Sequence, residues 1–104
     1  MQTIQLKKFG TVLVSRPAGL EAFRAIRPTL DAKQSVVIDF NGVSSLTPSW
    51  FDEFLTNLAE HVSGQVELLA TDNASVRAML PILAQDRHDA AAQALQQAVA
   101  TMKL

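Results

Sequence analysis

The sequence predicts an α/β domain, a small mixed sheet of about four strands with helices packed on it, in the order β-β-α-β-α-β-α-α. Three observations predict it. Val36-Val37-Ile38 is a β-branched run that suits a strand covered on both faces, and Asp39 ends it with a charge. From Pro48 onward, Phe51, Phe54, Leu55, Leu58 and Val62 recur at three- and four-residue steps, the stripe of an amphipathic helix. Shorter strand-like and helix-like stretches alternate on both sides of this pair, which calls for crossovers onto a common sheet.

Taken in order, Ile4 and Leu6 alternate with polar neighbours as in a half-buried strand ending near Phe9-Gly10, and Val12-Leu13-Val14 forms the second strand. Gly10 supplies the turn, so the simplest pairing is an antiparallel hairpin. Ser15-Arg16-Pro17 opens a helix with Leu20, Phe23, Ile26 and Leu30 inward, and Pro28 makes its last turn irregular. After the central strand, Asn41-Gly42 offers a left-handed turn, and Thr47-Pro48 reads as an N-cap followed by a first-turn proline. Asp52 and Glu53 suit the positive end of that helix. Gly64 marks its end; Val66, Leu68 and Leu69 make another strand, closed by Thr71-Asp72-Asn73, and Asp72 or Asn73 caps the next helix. That helix carries Val76, Met79, Leu80 and Leu83 on one face and Pro81 inside it. The alanine-rich tail from Ala90 to Met102, with Leu95, Val99 and Met102 at helical spacing, forms a last, weakly packed helix. Its small-residue face of Ala91, Ala94, Leu95 and Ala98 packs on its own domain by default, or accepts a second copy or partner helix.

The 104 residues make one domain, spanning 1–104, able to bury a single apolar core. Cysteine is absent and the two histidines, His61 and His88, fall on different predicted helices, so no thiol chemistry, disulfide framework, metal site or cofactor is expected. Both histidines read as solvated and receive no role. A net charge of −1 gives no footprint for nucleic acid. No apolar run approaches the ~20 residues of a membrane span, and MQTIQLKK lacks the layout of a secretory signal, so the expected address is cytoplasmic, without membrane insertion.

The element order and the segment IDFNGVSSLTPSWFDEFL resemble the STAS domain of sulfate transporters and anti-sigma-factor antagonists, and more closely the bacterial STAS-like family of uncharacterised function. FGTVLVSRPAGLEAFRAI resembles that family's first hairpin and helix, and VELLATDNASVRAML its later strand and helix. The resemblance implies a non-enzymatic regulatory module that docks a protein partner, such as a kinase-like ATPase or an anti-sigma-type regulator; the expected assembly is a monomer or weak homodimer. In some members the module is switched by serine phosphorylation at the start of the helix after the central strand. Laid on a switch loop that reads aspartate, serine, serine, glycine in those members, this chain has Thr47, Pro48, Ser49 and Trp50, and Ser49 alone matches.

Ser49 is therefore the phospho-acceptor candidate, since a phosphate at a helix N-terminus meets free N–H groups, while the same position also suits an ordinary first-turn serine. Trp50, one residue before the buried-face Phe51, is expected at the helix margin, either as a docking hot spot or half-buried over the sheet edge. With Arg16, Asn41, Ser44, Ser45, Thr47 and Glu53 it makes the expected partner-binding surface at residues 44–54 and the adjoining loops. Arg16, within a serine-arginine element resembling one in the family, suits a phosphate or carboxylate, or an internal ion pair. Asp39 and Asp72 share one rim of the sheet, a weak pointer to acid–base or metal chemistry, and no catalytic residue is assigned. The alternative reading is a small-molecule or nucleotide site at the carboxyl rim of the strands.

Overall fold

Short apolar runs find their partners far along the chain. In the computed structural model, which describes residues 1–104, β1 (Gln2–Gln5) runs parallel to β3 (Val36–Asp39), and β3 runs parallel to β5 (Val66–Leu68). The register sets Ile4, Ile38 and Leu68 in one row and Thr3, Val37 and Glu67 in the next. Side chains alternate across a strand, so one face carries Ile4, Val36, Ile38, Val66 and Leu68 into the core, while Thr3 and Glu67 stand exposed on the other. A second sheet pairs β2 (Val12–Leu13) with β4 (Ser45–Leu46), again parallel.

The expected hairpin does not form, and neither sheet is mixed. Leu6–Phe9 coils into a 3-10 turn because buried Leu6 must point inward while Lys7 and Lys8 stay in solvent, and the chain passes Gly10 (φ +132°) without reversing. β1 and β2 are thus two pieces of one path laid beside another path made of β3 and β4. Both paths break at the same level, at Leu6–Thr11 and Phe40–Ser44. Gly42 sits in the second break at φ +88°, where an added Cβ would meet the stem of Lys7 from the first.

Helices fill the covered side. α1 (Arg16–Ile26) is capped by the Ser15 hydroxyl, which accepts from the Ala18 N–H, and it gives way at Pro28 to a 3-10 turn, Arg27–Thr29. α2 (Pro48–His61) begins at the predicted Thr47-Pro48 signal and places Phe51, Phe54, Leu55 and Leu58 in the core. It ends where Gly64 (φ +79°) donates to the Ala59 carbonyl at 2.7 Å. α3 (Ala74–Ala84) is capped by Asn73 and contains Pro81. α4 (Ala92–Met102) is better packed than its composition suggests: Ala94, Leu95, Ala98 and Met102 are buried against β5 and α3, so this helix covers the outer edge of β5. Every buried side chain is apolar. No helix is long and apolar enough to cross a membrane.

Candidate functional site

Three chain ends converge at the start of α2. The Thr47 hydroxyl accepts from the Trp50 N–H at 3.4 Å, while the Thr47 N–H donates to the Leu13 carbonyl at 3.0 Å, tying the helix start to the end of β2. Two residues further, Ser15 turns the chain with φ +77° into α1. Gly19 then lets α1 rest directly on the backbone of Trp50. The rim so formed exposes two aliphatic side chains, Val12 (59 %) and Val14 (49 %), on either side of buried Leu13. Between them and α1 runs a groove of about 410 Å³ floored by Phe9, Leu13, Ala18 and Trp50, with Glu21 its one ionisable lining residue.

Beside the rim, Asp52 of α2 is held from two sides. Arg16 reaches one carboxylate oxygen at 2.9 Å and Arg87 the other at 2.8 Å, and Arg87 also grips Asp89 and the Thr56 hydroxyl. Partial burial disfavours the Asp52 charge, but the two arginine hydrogen bonds outweigh it and hold the carboxyl below the ordinary carboxylate range. The Arg87 bonds likewise depress Asp89 against a smaller opposing effect of burial. This clamp joins α1, α2 and the loop before α4.

A second, polar cleft of about 560 Å³ opens at the carboxyl ends of β3 and β5. Asp39, Asn41, Thr71, Asp72 and Arg77 line it. Asp39 accepts from the Asn41 N–H at 2.9 Å, and Arg77 donates to the Thr71 carbonyl at 3.3 Å. Asn73 fixes the wall: its Nδ2 donates to the Val43 and Ser44 carbonyls at 2.7 and 3.1 Å, while its Oδ1 accepts from the Ser75 hydroxyl and the Val76 N–H. The two aspartates predicted to share a rim do so.

The residues expected to bind a partner are distributed unevenly. Trp50 is corrected most sharply: instead of standing at the helix margin it is 2 % exposed, stacked on Phe54 at 5.0 Å and covered by Phe9 at 6.1 Å. The reason is helical geometry, since Trp50 and Phe54 are four residues apart and share the buried stripe. Ser49 is half-buried in the first turn of α2, its hydroxyl 3.4 Å from that of Thr47. Thr47 is the cap itself, Ser45 lies in β4, and Ser44 is exposed with its N–H donated to the Thr11 carbonyl. Arg16 forms the internal ion pair, Glu53 accepts from the Asn57 amide at 3.2 Å, and Asn41 belongs to the polar cleft. His61, expected in solvent, has its Nε2 buried without a hydrogen-bond partner and its ring 6.0 Å from Phe23 in an edge-on contact. Sequence reasoning missed Val12 and Val14 as an exposed pair, although period-two alternation about Leu13 carries that signal. It also missed Arg87, which no local pattern connects to Asp52.

No curated protein and no solved structure gives a significant match to the chain. A family model described as a STAS-like domain of unknown function (DUF4325) matches residues 21–70, from within α1 through β3, β4, α2 and β5, and over that stretch the chain is similar to a STAS-like domain.

Proposed function

We propose that this chain is a cytoplasmic, non-catalytic regulatory module that binds a protein partner at the rim where β2, α1 and α2 meet. One observation carries the reading: Val12 and Val14 stand exposed beside an apolar groove at the start of the α2 segment. Large side chains that hold water-facing positions next to a concave apolar surface mark an interaction site better than scattered exposed residues do. Trp50 acts as the rigid floor of this surface, and exposed Ser44 and Pro48 stand at its border. In line with the STAS-like resemblance, Ser49 is the switch position. A phosphate there would add close to two negative charges beside the Thr47 cap, at the edge of the face a partner must cover.

The test is quantitative capture from the native host on wild type beside Val12→Lys/Val14→Lys and beside Asp72→Ala/Arg77→Ala, with the Ser49 peptide weighed in each preparation. A protein held by wild type and by the cleft variant, and lost from the valine variant, supports the reading. The polar cleft supports a second reading, a small-molecule or nucleotide site, because ligands of open α/β folds collect at strand carboxyl ends and here Asp39, Asp72 and Arg77 line such a cleft. A thermal-shift screen separates the two. Ligand at a hundred times its dissociation constant adds about 2.7 kcal/mol to native stability.

A further inference from the structure

We infer that the rim takes its partner as an added β-strand: an extended apolar segment of another protein pairs with the free edge of β2 and directs a lysine or arginine to Glu21. This rests on the protein-binding reading above and specifies its chemistry. On β2, the Thr11 carbonyl accepts from Ser44 and Ser45 and the Leu13 carbonyl accepts from Thr47, so these residues address β4. Alternate residues of a strand address opposite neighbours, which turns the peptide groups of Val12 and Val14 outward.

Proteins blunt such edges with charge, proline or a covering element. The other sheet follows that rule. The outer edge of β5 lies under α4, and β1 presents exposed Thr3 and Gln5 before running into Lys7 and Lys8. The β2 edge is short, two residues, but carries no charge, proline or covering helix and instead shows Val12, with Val14 just beyond the strand, at 59 and 49 % exposure. Strand addition suits this pairing of unused backbone groups with alternate apolar side chains.

Charge selects the occupant. Glu21 is the groove's ionisable lining residue and takes part in none of the chain's ion pairs, so a basic side chain on the incoming segment complements it. A second copy fits less well, because a symmetric contact would present the same acidic rim, with Glu21, to itself.

The probe is a short peptide selected from a displayed random library on the full chain, counter-selected on Val12→Lys/Val14→Lys. Both valines are exposed, so the variant is expected to keep the wild-type thermal midpoint. The inference expects alternating apolar residues with a basic position in the selected peptide, slowed exchange of the Val12 and Val14 amides on binding, and affinity roughly tenfold lower for the valine variant and for Glu21→Lys. A peptide that shifts residues 44–53 and leaves both amides unprotected overturns strand addition while rim docking stands. A selection that enriches nothing overturns it too, and the capture experiment then decides the broader reading alone. Light scattering that finds a wild-type dimer, dispersed by the valine substitutions, overturns the heterologous partner in favour of a second copy.

Discussion

Gly19 of α1 faces the carbonyl of Trp50 of α2 so closely that a Cβ at position 19 would overlap the carbonyl oxygen. The missing side chain is what lets the two helices begin side by side and brings β2, α1 and α2 to one rim.

Gly19→Ala is accordingly a decisive substitution. In an exposed helix interior, glycine to alanine gains up to about 1 kcal/mol from propensity. Here the overlap is with backbone that cannot rotate away, and overpacking of this kind costs about 1–3 kcal/mol. The net effect is destabilisation, read as a lower urea midpoint with an unchanged slope. A midpoint at or above wild type would show that α1 and α2 are not in this contact.

Trp50→Ala removes the floor of the groove along with a buried ring stacked on Phe54. Truncations of this type cost about 3–5 kcal/mol, a large part of the stability of a domain this size. The variant is expected to melt far below wild type, and the indole of the free protein to emit in the blue as a buried tryptophan. Red-shifted emission with little quencher protection would contradict its placement.

Asn73→Ala removes an N-cap and two bonds to the loop after β3 in one step. Cap removal alone costs about 0.5–2 kcal/mol, and the Val43 and Ser44 carbonyls lose their donor as well. Amide exchange should quicken in residues 40–46 and at the start of α3, with α1 unaffected.

Acid unfolding carries the signature of the arginine clamp. The carboxyls of Asp52 and Asp89 are held below their ordinary values in the folded chain. Their contribution is therefore fully present above the unfolded carboxylate pKa of about 3.9 and is lost as pH falls through the lower folded values. Asp52→Asn should be less stable than wild type at neutral pH and lose less stability on acidification below roughly pH 4. Parallel stability curves for the two proteins would dismiss the clamp.

Much of this architecture is written locally. Ser15, Thr47 and Asn73 each precede an apolar periodic run and each caps its helix. Val36–Ile38 and Val66–Leu68 are dense enough in apolar residues to read as strands. Pairing was not legible, because β1 meets β3 across more than thirty residues and nothing local in Gln2–Gln5 names its neighbour. Gly10 suggested a reversal that the 3-10 turn before it forestalls. β4, only Ser45–Leu46, is too short for any period to register. At the rim, the Trp50–Phe54 spacing carried the burial of the indole, while its place one residue before Phe51 pointed to the helix margin. Arg16–Asp52–Arg87 joins three distant segments and is a product of the fold alone.

The most direct test of the recognition face is hydrogen exchange of the full chain, free and bound to the protein recovered by the capture experiment. The account predicts protection concentrated at residues 12–18 and 44–53, with the Asp39–Asp72 cleft unchanged. Protection confined to that cleft or to the surface of α4, with Val12 and Val14 as open as in the free chain, would contradict it.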